Sequence, residues 1–283
     1  MRDTLTQSEI KAYHRDGFVV LRNCYDLETE ILPIQRAIGE LICLIREHNG
    51  YEVTVPENWA SFDHQFADLI SHDRRLGGVV YDAIKQIPAF VRLVCSSGHE
   101  KLYNQLIKAE LIGIAAGGYG IRIDNPSEER FRVDWHQEYP AQLRSVDGAV
   151  FWSPLVPIEE NMGPVRICPG SQVEGLVPVH TTDPENPGKA GAYALILENR
   201  EERIARYEQV APLLNPGDLL VMDFLTLHAS GCNVSQRSRW SMQSRLFNFR
   251  EKTGISHEWS GSYAAGKDFS KIHPELVVKT GAL

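Results

Sequence analysis

The feature that most limits what this chain can fold into is a change of texture near residue 110. Before it, apolar residues recur at helical spacing. Ile31, Leu32, Ile34, Ala37, Ile38, Leu41, Ile42 and Ile45 trace one stripe along residues 27–48, which ends near Asn49-Gly50. Residues 7–16 read as a shorter helix, capped by Thr6 or Ser8 and stopped at Asp16-Gly17 before the apolar strand Phe18-Val19-Val20-Leu21. Residues 74–108 read as two or three helical pieces, broken near Pro88 and Ser96-Ser97-Gly98. Beyond residue 110, short apolar or alternating runs are separated by Gly, Pro, Asn and Asp. Candidate strands cover 110–115, 119–123, 130–137, 148–156, 164–168, 218–223 and 240–249. Helices first and many short strands afterwards predict an α+β chain with a mainly β core, a sandwich or barrel.

At 283 residues the chain can bury a large core. We read residues 1–283 as one domain: a helical part over about 1–109, the β core over about 110–250, and an extension over 251–283. A long insertion at 173–210, with a charged helix-like run at 197–208, interrupts the core, and loops of that length are often lids. The formal net charge of −8 argues against nucleic acid as a partner, because phosphate binding needs a basic face. It leaves a small-molecule partner open, since a basic pocket can sit within an acidic whole. The five cysteines (Cys24, Cys43, Cys95, Cys168 and Cys232) form no CxxC pair, which predicts reduced, mostly buried thiols and a cytoplasmic setting. The polar start lacks a signal-peptide core, and no apolar run approaches ~18 residues, so no membrane insertion is expected. Nothing here fixes the oligomeric state.

The chemistry concentrates in Asp134-Trp135-His136-Gln137-Glu138. On a strand, alternate residues share a face, so His136 and Glu138 can be offered to one metal ion. His228 lies far downstream, after the turn Asn215-Pro216-Gly217-Asp218 and the apolar run Leu219–Met222, where a rigid element can hold a ligand. Two histidines and one carboxylate leave coordination positions open, as in non-haem Fe(II) oxygenases. The triplet alone is also what an ordinary polar strand would show. Trp135 and Tyr139 flank it as candidate pocket walls. Further on, residues 237, 239, 241, 243 and 245 share a face of a regular strand. Arg239 is the favoured carboxylate-binding arginine there, with Arg237 and Arg245 as competitors.

These residues carry a resemblance. Asp134–Glu138, then Asn161-Met162-Gly163-Pro164 leading to Cys168-Pro169-Gly170-Ser171, then His228-Ala229-Ser230-Gly231-Cys232-Asn233 and Arg239, resemble the phytanoyl-CoA dioxygenase family. The opening Asp16-Gly17-Phe18-Val19-Val20-Leu21 is similar to that family's usual start, so the likeness runs from about residue 8 to 249. It implies a double-stranded β-helix, a cupin-like jelly roll with the N-terminal helices packed outside. It also implies Fe(II), 2-oxoglutarate as co-substrate, and O2. By that carry-over His136, Glu138 and His228 bind iron. Arg239 clamps the distal carboxylate of 2-oxoglutarate with help from Ser230, and Gln137 and Trp152 touch the co-substrate. Gly163 and the Pro169-Gly170-Ser171 turn match structural motifs of the family. Two departures stand out: Glu138 where the family usually has aspartate, and Gln172 where it often has histidine.

The implied reaction decarboxylates 2-oxoglutarate to succinate and CO2 and, by default, hydroxylates a C–H bond. Desaturation or rearrangement would need only different substrate placement. Glu138 argues against halogenation, which needs a small residue at that position. Tyr139, Arg122, Gln142 and Arg166 are the substrate candidates, and inward-facing arginines would favour a polar metabolite, sugar or natural-product intermediate over a fatty acyl-CoA. The competing readings are a metal-binding cupin-type isomerase or dioxygenase that does not use 2-oxoglutarate, and an inactive jelly-roll binding module.

Overall fold

In the computed structural model, which describes residues 1–129, 132–183, 194–261 and 268–278, the chain starts as its end signals dictate. Thr6 and Glu9 form a reciprocal capping box at the start of α1 (Gln7–Asp16), and Gly17, at φ 76°, ends it. The chain then enters β1 (Phe18–Leu21). The helix expected over 27–48 opens as a π-helical turn, Leu27–Ile31, and only then becomes α2 (Leu32–His48). Pro33 sits at this junction; without an N–H it cannot donate to the preceding turn, so regular bonding restarts after it. The remaining helical layer comprises α3 (Phe62–His72), α4 (Leu76–Ala83), α5 (Pro88–Val94) and α6 (Ser97–Ile107).

The β region follows: β2 (Ile112–Ile114), β3 (Gly120–Asp124), the short helix α7 (Glu138–Gln142), β4 (Ala149–Pro154), β5 (Val165–Ile167), β6 (Val179–His180), β7 (Ile196–Leu197), α8 (Arg200–Ile204), β8 (Leu219–Asp223), β9 (His228–Ser230) and β10 (Arg239–Asn248). Two short helices, α9 (Lys252–Ser256) and α10 (Phe269–Ile272), lie in the C-terminal extension. A six-stranded sheet runs β1-β8-β4-β10-β2, with β3 also paired to β10. A smaller sheet pairs β5 with β9, and another pairs β6 with β7. The named pairs are antiparallel, as expected of a jelly roll.

Alternation along the strands sorts the core into two. Outward residues of the large sheet (Phe151, Val221, Trp240, Leu246) pack under the helices, with Ile34, Ile38, Phe62 and Phe66. Inward residues (Val150, Trp152, Leu220, Met222) pack toward the smaller sheet, with Ile167, Leu227 and Ala229. Trp240 anchors the helical side: the rings of Phe62 and Phe66 stand edge-on to it at 4.9 and 4.8 Å. The same alternation turns Arg239, Gln243 and Arg245 to the other face of β10.

Three expectations need correction. The strand expected over 130–137 does not form in its described part; residues 130–131 lie outside the described residues, and His136 makes a single bridge, to His228. Glu138 opens α7 instead of extending a strand. The charged run at 197–208 is helical only over α8, and residues 184–193 of the insertion lie outside the described residues. All five cysteines are free, but only Cys24 and Cys168 are buried; Cys95 and Cys232 are exposed. Among the described residues no helix is long and apolar enough to cross a membrane.

The smaller sheet depends on a backbone approach that only glycine permits. Gly163 has φ 67°, and a Cβ there would lie 2.4 Å from the Gly231 carbonyl oxygen. Gly163→Ala is therefore expected to lower the unfolding free energy by at least ~2 kcal/mol, read from the urea midpoint. An unchanged midpoint would show that the approach is not tight.

Candidate metal centre

Both histidines are oriented by backbone carbonyls. His136 Nδ1 lies 2.8 Å from the Asp134 oxygen, and His228 Nδ1 lies 2.9 Å from the Thr226 oxygen. A carbonyl can only accept, so each Nδ1 carries a proton, and Nε2 is the nitrogen left to bind a metal. The two Nε2 atoms each lie 3.6 Å from the same atom, Glu138 Oε2. That is too long for a good hydrogen bond and suits three ligands around a shared cation. The three ligand atoms lie within 4.8 Å of one another, the sole such group among the described residues.

The turn Phe224–Thr226 sets this geometry. The Phe224 carbonyl accepts the N–H groups of Glu138 and Tyr139 at 2.8 and 3.2 Å, and the Leu225 carbonyl accepts Gln137 Nε2 at 2.8 Å. Thr226 holds His228 through its carbonyl and donates from its hydroxyl to the Gly17 carbonyl at 2.9 Å. Ser171, buried behind it, accepts the Leu227 N–H at 2.8 Å. The sequence motifs Asp16-Gly17 and Pro169-Gly170-Ser171 therefore converge on the turn that fixes His228. Gln172 donates to the carbonyls of His14 and Arg15 at the end of α1, a local role.

Electrostatics favour a cation. Burial would push the Glu138 carboxyl up, but Arg245 and the two imidazoles hold it well below the usual carboxylate range. Burial, with His136 beside it, lowers His228, which disfavours the charged imidazolium. A buried carboxylate with two imidazole nitrogens is the donor set that a divalent transition metal takes.

The three ligand atoms open into a cavity of about 550 Å³ lined also by Trp152, Ser230, Arg239, Gln142 and Arg122. Of the three candidate arginines, Arg237 is spent on Asp63 at 2.9 and 3.1 Å. Arg245 is bonded to Glu138. Arg239, 1% exposed, uses Nε and Nη2 on Asp124, at 3.2 and 2.9 Å. Its Nη1 is buried with no partner, as is the nearby Ser241 hydroxyl. An unpaired guanidinium nitrogen is costly, and a ligand carboxylate would satisfy it.

Other sequence candidates are placed differently. Gln137 faces away from the cavity, because its neighbours His136 and Glu138 face in. Its amide is fully engaged, donating to Gly175 and Leu225 and accepting the Val177 N–H, so it locks the two ligand segments together and does not line the cavity. Tyr139 is buried beneath, with its hydroxyl 2.9 Å from His273 Nε2 of the C-terminal extension. Trp135 is covered by Arg166, whose guanidinium stands 5.1 Å over the ring; neither lines the cavity. Arg122 lines it while bonded to Asp124 at 2.8 Å. Sequence reading missed Tyr81 and Lys85, which reach the cavity from the helical layer, and the Gly117–Gly120 loop. No local signal marks Tyr81 or Lys85, since only packing of α4 and of the 3-10 turn after it (Ile84–Gln86) against β3 brings them there.

A family model described as phytanoyl-CoA dioxygenase matches residues 13–241. A search of curated proteins finds no match. Among solved structures, EctD from S. alaskensis with 2-oxoglutarate and 5-hydroxyectoine is similar over 86% of this chain and 76% of its own, at 16% identity and TM-score 0.56. The α-ketoglutarate-dependent carbocyclase SnoK from nogalamycin biosynthesis matches over 91% and 92%, at 15% identity and TM-score 0.56. The epimerase SnoN in complex with Fe3+, α-ketoglutarate and nogalamycin RO matches over 93% and 91%, at 16% identity and TM-score 0.55. At such identities the likeness is one of fold, and it agrees with the layered sheets seen here. The family match spans most of the chain, and the protein therefore belongs to the phytanoyl-CoA dioxygenase family of Fe(II)/2-oxoglutarate-dependent oxygenases.

Proposed function

We propose that this protein hydroxylates an unactivated C–H bond of a small polar molecule, with 2-oxoglutarate released as succinate and CO2. His136, Glu138 and His228 would hold Fe(II). One observation carries the reading: two imidazole Nε2 atoms and one carboxylate oxygen converge on a cavity that also holds a buried arginine with an unpaired nitrogen. Iron and 2-oxoglutarate bound there supply the O2-activating chemistry that side chains lack.

The protein's own groups bind, orient and shield. Arg239 Nη1 takes the distal carboxylate of 2-oxoglutarate, with Ser230 beside it and Trp152 as a wall. The buried walls, Val150, Val165 and Met222 among them, exclude water. At the other end, exposure separates the lining cations. The Lys85 side chain is 34% exposed, against 16% for Arg122 and 2% for Arg239, which puts Lys85 at the solvent end. Its ammonium rests 3.7 Å over the Tyr81 ring and 3.4 Å from Asp82. With Lys85, Arg122 and Gln142 around it, a substrate bearing a carboxylate, a phosphate or many hydroxyls is favoured over a bare acyl chain. A bare chain would desolvate these groups without replacing their hydrogen bonds.

The test is a screen of sugar acids, phosphorylated metabolites and hydroxylated polycycles, reading Fe(II)-dependent succinate release. Metal binding without 2-oxoglutarate consumption would favour a cupin-type enzyme of another chemistry. Absence of metal binding would favour a binding module. For the substrate found, Lys85→Ala is expected to raise KM roughly tenfold with kcat nearly unchanged, the signature of lost ground-state binding. A fall in kcat alone would remove Lys85 from substrate recognition.

A further inference from the structure

Arg245 makes contacts that neither clamp a co-substrate nor merely bury a charge. Its guanidinium is held at three points: Nε donates to Glu138 Oε1 at 2.9 Å, Nη1 to the Gly118 carbonyl at 3.1 Å, and Nη2 to Gln243 Oε1 at 3.1 Å. The partner carboxylate is almost fully buried, at 5% exposure. Its two oxygens are therefore unequal. Oε1 is taken by Arg245, and Oε2 faces both histidine nitrogens, at 3.6 Å each.

A glutamate side chain has enough rotatable bonds to turn either oxygen, or both, toward a metal. Both oxygens on the ion would use a coordination position that the co-substrate or O2 needs. Arginine suits the task of preventing this, since it stays charged when buried and its planar fork fixes direction as well as distance. We propose that Arg245 is a positioning residue that fixes Glu138 as a one-oxygen ligand and so keeps the remaining coordination positions open. Gln243 and Gly118 act through it by fixing the fork. The inference rests on the metal-site reading above.

The experiment is anaerobic titration of the purified protein with Co(II), following its visible d–d absorption, in wild type, Arg245→Leu and Arg245→Lys. Arg245→Leu is expected to bind Co(II) about 10- to 100-fold more weakly per folded molecule, the range typical for loss of a ligand's hydrogen-bond partner, with an altered spectrum. Arg245→Lys keeps a cation beside Glu138, and with it the fold. Lacking the fork, it is expected to recover affinity only in part and to keep an altered spectrum. A purely structural arginine would lower the melting temperature and leave affinity and spectrum unchanged. Wild-type affinity and spectrum in Arg245→Lys, or in folded Arg245→Leu, would overturn the inference while leaving the metal site standing. No Co(II) binding by the wild type would overturn both.

Discussion

His228→Ala is expected to abolish 2-oxoglutarate turnover and divalent-metal binding together while leaving the fold in place. The imidazole contributes one of two nitrogen donors, and no other histidine joins the group among the described residues. The ring's hydrogen bond to the backbone is with the Thr226 carbonyl, and the turn keeps its other anchors at Gly17, Ser171 and Glu138. The apo variant should therefore melt close to apo wild type. Metal separates them: Mn(II) at about 100 times its dissociation constant should stabilise the wild type by about 2.7 kcal/mol and the variant not at all. Chelation should reverse the wild-type gain. Full turnover in the variant would refute the assignment of His228 as a ligand.

Arg239→Ala is expected to show two large effects of different origin. Loss of the carboxylate partner should raise KM for 2-oxoglutarate about a hundredfold, equivalent to about 2.7 kcal/mol. Stability should fall by about 3 kcal/mol, because Asp124 stays in place with one of its two cations gone. Burial pushes the Asp124 carboxyl up, while Arg239 and Arg122 pull it below the usual range; the remaining Arg122 keeps the penalty at the low end. Asp124→Asn in the same background should recover stability without recovering KM, measured by denaturant unfolding and by succinate release. A variant that is destabilised but has unchanged KM for 2-oxoglutarate would move the clamp elsewhere, with Arg122 the next lining candidate.

Much of the site could be read from particular residues. The ligand group follows from His136, Glu138 and His228, and alternation on β10 turned Arg239, Gln243 and Arg245 to one face as expected. His136 and Glu138 come together without the shared strand that their spacing predicts: His136 bridges β9, while Glu138 starts α7, held by the Phe224 carbonyl. The i, i+2 spacing survives because the chain is still extended at Gln137, with φ −97° and ψ 146°. The same extended backbone turns Gln137 away from the cavity.

By itself the sequence determined the order of layers, the positions of most strands and the identity of the metal-ligand candidates. Each of these depends on local periodicity, turn chemistry or a short motif, and local signals persist in one dimension. Only the tertiary structure decided which of three arginines bonds Asp63, Asp124 or Glu138, that Lys85 and Tyr81 arrive from the helical layer, and that Arg245 takes one oxygen of Glu138. Those outcomes depend on strand register and on the packing of α4 and the 3-10 turn after it against β3. Both are set by burial of residues far apart in the chain, and no local pattern records them.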